Sequence, residues 1–234
     1  MSAPIQQQHD LTPIDKDNFF QCYGPAAVVT GASSGIGEAF AHILAAMNFD
    51  VFLVARRRDR LAALASELTS VHDVAAHICV ADLGTAGGLE DLLKICRGKD
   101  IGLLISNAGF GMKGPHETND PDTMNRMLAI NCVAPMQLCR RLIPQLKKRG
   151  RGGIIITSSV ESLMGFPYSA PYAASKAFAT SLAEGLWGEL SPSGIDVLAL
   201  CPSSTDTETL DLQGVDKSKL EGMMSPAEVA WEAL

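Results

Sequence analysis

Short aliphatic and β-branched runs alternate along the chain with longer segments in which apolar residues recur at helical spacing. The runs at 26–30, 51–55, 75–80, 101–106, 153–158 and 195–200 predict strands, and the segments 60–68, 123–148 and 171–190 predict helices. Strands that alternate with helices in this way form βαβ units, so the expected fold is α/β: one doubly wound parallel sheet with helices on both faces, in three α/β/α layers. The first residues, including QQQHD and TPIDKDNFF, are polar and predict an extension over 1–24, with a single domain over 25–234. Near the other end Ser225-Pro226-Ala227-Glu228 carries an N-cap serine, a first-turn proline and a glutamate at the third position, which starts a helix. That helix reaches Leu234 with no stop signal, so the expectation is that further chain belongs beyond it.

Composition narrows this picture. A chain of 234 residues suits one large α/β domain. A net charge of −7 excludes a nucleic-acid surface, which needs clustered Lys and Arg, although Arg56-Arg57-Arg58 is a local exception. The six cysteines form no CxxC pair and several lie in apolar runs, so they read as reduced structural thiols and not as metal ligands. No export signal and no apolar run long enough to cross a bilayer is visible, which predicts a cytoplasmic protein without a membrane partner.

The chemistry begins after the first run. Residues 26–30 lead into Gly31-Ala32-Ser33-Ser34-Gly35-Ile36-Gly37, and a helical pattern follows at Glu38. Strand, glycine turn and helix are the parts of a dinucleotide site, with Gly31 making the turn, Gly35 admitting the pyrophosphate and Gly37 packing helix on strand. The phosphates would rest on the amides of the helix N-terminus. This Thr30-Gly31-x-x-x-Gly35-x-Gly37 spacing resembles the cofactor motif of the short-chain dehydrogenase/reductase family. The other motifs of that family follow in order as Asn107-Ala108-Gly109, Asn131, Ser159 and Tyr172-Ala173-Ala174-Ser175-Lys176, and the resemblance spans about residues 25 to 210.

Tyr172 and Lys176 lie one helical turn apart and project from one face, while Ser159 stands at a strand end facing the expected cofactor crevice. A free tyrosine titrates near pH 10, so its use as an acid/base calls for stabilisation of the phenolate, which an adjacent ammonium and a nicotinamide cation could supply. The resemblance implies a Rossmann-type NAD(P)-dependent oxidoreductase that moves a hydride reversibly between nicotinamide and a carbonyl or alcohol, with Tyr172 as acid/base. It also implies that Lys176 holds the nicotinamide ribose, that Ser159 bonds the substrate oxygen and that Asn131 fixes a water linking Lys176 to solvent. Asp82 and Leu83 are expected at the adenine, and Thr207, with Thr205 beside it, at the carboxamide. Three features depart from the family pattern: Ser106 replaces a common Asn; Cys201-Pro202-Ser203 replaces Pro-Gly, which brings strain if the backbone there needs a positive φ; and the last sheet strand and part of the substrate lobe that the resemblance implies are expected beyond Leu234.

An NAD site places an acidic residue at the end of the second strand, whereas a 2′-phosphate wants Arg. Here that strand ends in Arg56 and Arg57, with Ser33 and Ser34 in the glycine turn, so NADP is the preferred cofactor and NAD a possible one. Phe110, Met112, Leu163, Met164, Phe166 and Tyr168 are candidates for an apolar substrate mouth, together with the loop after Pro202; His116 and Glu161 read as surface polar residues. The family resemblance implies a homodimer or homotetramer through the helices of Asn131 and Tyr172. A non-catalytic dinucleotide sensor or scaffold on the same fold is the alternative, disfavoured because Tyr172 and Lys176 are both retained, and a sugar-nucleotide epimerase is disfavoured by glycine spacing and length.

Overall fold

The computed structural model describes residues 14–212 and 216–234. Six strands form one fully parallel sheet in the order β3-β2-β1-β4-β5-β6: β1 (Ala26–Thr30), β2 (Asp50–Ala55), β3 (Ala76–Val80), β4 (Ile101–Ser106), β5 (Gly152–Thr157) and β6 (Ile195–Leu200). The helices are α1 (Lys16–Tyr23), α2 (Gly35–Ala45), α3 (Arg58–His72), α4 (Ala86–Cys96), α5 (Pro121–Leu128), α6 (Ala134–Arg149), α7 (Ala170–Leu190), α8 (Glu208–Leu212) and α9 (Pro226–Glu232). The strand order reverses direction between β1 and β4. That switch point opens a crevice at the carboxyl ends of the strands, where α/β sheets of this type hold ligands.

Alternation along β1 assigns its side chains to two cores. Ala26 and Val28 join Leu92, Leu138, Leu142, Ala179 and Ala183 of α4, α6 and α7 on one face. Ala27 and Val29 join Phe40, Leu44, Leu61, Leu64 and Ala230 of α2, α3 and α9 on the other. With both faces covered, each central strand is apolar throughout, which is why its run in the sequence shows no polar alternation.

Two segments differ from the sequence expectation. Within the stretch expected to be a polar extension, Asp15 accepts the Asn18 amide at 3.1 Å and caps α1, and Phe19 is buried against Phe49. Tyr23 then donates its hydroxyl to Asp196 at 2.6 Å, fastening α1 to the start of β6. The long helix expected over 123–148 is broken into α5 and α6 by a π-helical turn, Ala129–Val133. Pro135 explains the break: it has no N–H to give to the carbonyl of Asn131, four residues back, and the ladder switches to the wider spacing seen in the bond from the Ala134 amide to the Ala129 carbonyl. The helix predicted at Ser225 forms as α9, with both halves of its capping box made.

Candidate active site

The glycine turn is built at the end of β1. Thr30 Oγ1 accepts the amides of Asn107 and Ala108, each at 2.9 Å, and Asn107 Nδ2 donates to the Thr30 carbonyl at 3.1 Å. Thr157 Oγ1 donates to Asn107 Oδ1 at 3.2 Å, so three adjacent strands are joined where they enter the crevice. Gly31 and Gly35 have φ of 71° and 59°, which other residues rarely adopt. Gly37 is needed for closeness instead: a Cβ there would be driven into the Gly31 carbonyl oxygen and would lie 2.7 Å from Asn107 Nδ2. The turn thus brings bare backbone and the first amides of α2 to the crevice, a cradle suited to a pyrophosphate.

At the other end of the crevice α7 carries Tyr172 and Lys176. Lys176 is buried, donates Nζ to the Thr157 carbonyl at 2.8 Å and lies 5.7 Å from the centroid of the Tyr172 ring. Burial draws its pKa down to about 8. Gly109 makes room for that ammonium, since a Cβ there would sit 3.3 Å from Nζ. The expected lowering of Tyr172 is not what the chain's own groups produce. Burial pushes the phenol above its ordinary value, the Glu161 carboxylate adds to this, and the hydrogen bond with Ser159 opposes both. Desolvation outweighs the single hydroxyl because a phenolate loses more from leaving water than one neutral donor returns.

Asn131 lies in the π turn behind the crevice. Its Oδ1 accepts the Phe110 amide at 3.1 Å, and its Nδ2 donates to the Phe110 carbonyl and to Ser175 Oγ, both at 2.9 Å. The side chain therefore ties the loop after β4 to α7. Ser175 in turn donates to the Tyr172 carbonyl at 2.7 Å, so this bond chain fixes the turn of α7 that carries Tyr172 and Lys176.

Between the two ends runs a cleft of about 700 Å³, and every residue expected for catalysis or cofactor binding opens onto it except Gly37 and Asn131. Arg57 folds back over the glycine turn, donating from Nε to Ser33 Oγ at 3.1 Å and from Nη2 to Ser34 Oγ at 2.6 Å, while Arg56 is exposed beside it. Asp82 accepts Arg126 of α5 at 2.6 Å and the Gly84 amide at 3.0 Å. Thr205 spends its hydroxyl on the Ser203 carbonyl at 3.0 Å, and Thr207 lies over Gly35, its Cγ2 3.1 Å from where a Cβ would stand. Ser203 does not have a positive φ, so the replacement of Pro-Gly by Pro202-Ser203 brings no backbone strain. Of the candidate mouth residues only Phe110 lines the cleft; Leu163 and Tyr168 are 71% and 68% exposed on a lip beyond Ser159.

Three participants were missed in the sequence. Glu161 is not a free surface acid: it accepts Lys113 Nζ at 2.6 Å and the Ser169 hydroxyl at 2.5 Å at the edge of the cleft. Arg126 and Glu208 also line it, paired with Asp82 and with Arg57. Nothing local marks these residues, because each acquires its role from a partner distant in sequence.

The model of the short-chain dehydrogenase family matches residues 25–217. The chain belongs to that family. Among its short-chain dehydrogenase relatives, the very-long-chain 3-oxoacyl-CoA reductase of Anas platyrhynchos is 34% identical over 76% of this chain and 59% of its own length. The 7beta-hydroxysteroid dehydrogenase of Clostridium sardiniense is 30% identical over 91% of this chain and 82% of its own. A short-chain dehydrogenase from Sphingobium yanoikuyae in complex with NADPH superposes with a TM-score of 0.84 at 35% identity, covering 88% of this chain and 81% of that one. A bulky-bulky ketone specific alcohol dehydrogenase from Comamonas testosteroni superposes with a TM-score of 0.80 at 30% identity, covering 90% and 85%. The chain spans between 52% and 59% of the length of the first very-long-chain 3-oxoacyl-CoA reductases it matches.

Proposed function

We propose that this short-chain dehydrogenase is an NADP-preferring oxidoreductase acting on the carbonyl or secondary alcohol of a bulky, apolar substrate. The observation that carries the reading is the convergence of Ser159, Tyr172 and Lys176 at one end of a cleft whose other end holds the glycine cradle, Ser33 and Arg57. Bound nicotinamide supplies the hydride, or takes it up, and the chain's own residues manage the substrate oxygen and its proton. The Ser159 hydroxyl holds that oxygen beside Tyr172. Tyr172 gives its proton to the oxygen in reduction and takes it back in oxidation. Because burial holds the phenol high, Tyr172 stays protonated at neutral pH, which is the form reduction requires. Burial draws Lys176 down to about 8, so the ammonium beside the Tyr172 ring gives up its proton more easily than a free lysine would. Asn131 and Ser175 keep this turn of α7 in place.

The apolar substrate rests on Phe110, Val160 and Leu210 in the cleft and on the exposed lip at Leu163 and Tyr168. The relatives named for very-long-chain 3-oxoacyl-CoA, a hydroxysteroid and bulky ketones support the same choice. The direct test is NADPH and NADH consumption with a panel of bulky 3-oxoacyl thioesters, steroid ketones and diaryl ketones beside small polar ketones. Turnover confined to the bulky group is expected. NADPH binding with no consumption on any bulky ketone would overturn the reading.

NADPH is expected to bind at least about tenfold more tightly than NADH, since one charge-assisted bond to the 2′-phosphate contributes roughly 1.5–3 kcal/mol and solvent exposure pulls this to the low end. Arg56→Asp with Arg57→Ala should narrow or reverse the preference; equal losses for both cofactors in fluorescence titration would refute the assignment. Glu161→Gln should move the rise of the oxidation rate with pH to lower pH. Oxidation needs the phenolate, Glu161 holds the phenol up, and removing its charge lets Tyr172 ionise earlier. An unshifted pH profile would show that Glu161 does not act on Tyr172.

A cytoplasmic location and a homodimer or homotetramer complete the reading. All six cysteines are unpaired, which fits a reducing compartment. Among the described residues no helix is long and apolar enough to cross a membrane. Leu128, Val133 and Met136 along α5 and α6, and Phe178 and Trp187 on α7, are exposed apolar residues suited to an interface between copies. Light scattering at micromolar concentration should give at least twice the chain mass, and a monomer would refute this.

A further inference from the structure

A carboxylate stands where the NADP reading needs a phosphate. Arg57 donates Nη1 to Glu208 Oε2 at 2.8 Å, and Arg60 donates Nη1 to Glu208 Oε1 at 2.6 Å, so one carboxylate spans two guanidinium groups. The same Arg57 is held to the hydroxyls of Ser33 and Ser34 at 3.0 and 2.6 Å. Two guanidinium forks with two hydroxyls beside them form a donor set that a phosphate monoester also satisfies. Glu208 is the first residue of α8, and Leu210 on the same helix lines the cleft. The neighbouring acids Asp206 and Asp211 are drawn onto Lys217 at 2.8 and 2.9 Å, so the arginines are met by Glu208.

We propose that Glu208 is a tethered stand-in for the 2′-phosphate, latching α8 to the glycine-turn side of the cleft until NADP(H), and not NAD(H), displaces it. The inference rests on the reading that Arg57 receives the 2′-phosphate. The latch is built to yield: the side chains of Arg57, Arg60 and Glu208 are 41%, 49% and 45% exposed, and exposed ion pairs are weak and screened by salt. A phosphate with nearly two charges and three acceptor oxygens outcompetes a single carboxylate for the same donors. Displacement nevertheless subtracts from the affinity of every 2′-phosphorylated ligand and leaves ligands with a free 2′-hydroxyl untouched. By linkage, the ligand that is weakened by the latch is the ligand that opens it.

The test uses adenosine 2′,5′-bisphosphate and ADP in calorimetry, and NADPH and NADH in fluorescence titration, on the wild type, Glu208→Gln and Arg57→Ala. Glu208→Gln should tighten both 2′-phosphorylated ligands about three- to tenfold, the range that relief of two exposed ion pairs allows, and leave ADP and NADH unchanged. Unchanged or weaker binding of the bisphosphate to Glu208→Gln, with Arg57→Ala still losing it, would overturn the latch and leave the NADP reading standing. Unchanged NADPH affinity in Arg57→Ala would remove that reading and the latch with it. Hydrogen exchange of the wild type adds a measurement that needs no variant: the amides of α8 should exchange faster with the bisphosphate than with ADP, and equal exchange would overturn the proposal.

Discussion

Tyr172→Phe is expected to lower turnover by about 10² to 10⁴-fold, the range that a positioned proton donor contributes, while cofactor affinity stays close to that of the wild type. The two effects separate because the substitution removes one oxygen and little else. Lys176 keeps its bond to the Thr157 carbonyl at 2.8 Å, and the ring it approaches to 5.7 Å remains. Asn131 and Ser175 hold the backbone of α7 through bonds that do not involve the phenol oxygen. The Ser159 hydroxyl loses the phenol but still accepts the Glu161 amide at 3.2 Å, and its proton is free to meet a substrate oxygen, so binding of a ketone should change less than its reduction. Steady-state rates with a reactive bulky ketone, beside NADPH fluorescence titration, check both halves. Turnover near the wild-type rate would sink the assignment of Tyr172, and parallel loss of NADPH affinity would show that the phenol supports the fold of the site and not its chemistry.

Gly37→Ala should have a large structural effect on the nucleotide half. The added carbon meets the Gly31 carbonyl oxygen and Asn107 Nδ2, and neither can retreat. Gly31 is held in the left-handed region at φ 71°, and Asn107 is bonded to Thr30 and Thr157. Overpacking in a rigid site costs about 1–3 kcal/mol and more where backbone is struck. A chain of this size loses roughly 2–4 °C of Tm per kcal/mol, so a fall of at least several degrees and loss of nucleotide binding are expected together. Gly185→Ala is the matched control. It lies within α7 with nothing within 4 Å of the added carbon, and it should raise stability by about 0.5–1 kcal/mol through helix propensity. Thermal unfolding of the pair measures both signs; an unchanged melt for Gly37→Ala would mean that α2 can shift away from β1.

The strands were legible because burial on both faces makes them apolar without interruption, and the glycine turn was legible because its constraints are local: two positive φ values and one close approach within a few residues. Sequence reasoning went less far wherever a residue's role is set by a distant partner. Glu208 lies 151 residues from Arg57, and Glu161 lies 48 from Lys113, so neither pairing leaves a mark in its own neighbourhood. The π turn was readable in principle, since Pro135 removes the donor for Asn131, but an apolar periodicity that continues through it masks the break. Helix α1 had a signal in Asp15 followed by Phe19 and Tyr23, outweighed by the polar residues around them. At Leu163 and Tyr168 apolar composition made the residues candidates for a substrate mouth, and only the fold shows that they stand exposed on its lip.

The joint formed by Thr30, Asn107 and Thr157 has a consequence for how the protein comes into being. Its bonds connect positions 77 and 50 residues apart, so the seat for the nucleotide exists only after the first, fourth and fifth strands have met. A nascent chain that has emerged only as far as β3 already displays the whole glycine signature and yet has no seat for its ligand. Contacts of such long sequence separation form late, and a ligand that binds only the completed arrangement draws the folding equilibrium toward it by mass action. A nucleotide bound at that seat would favour chains in which the two halves of the sheet have joined.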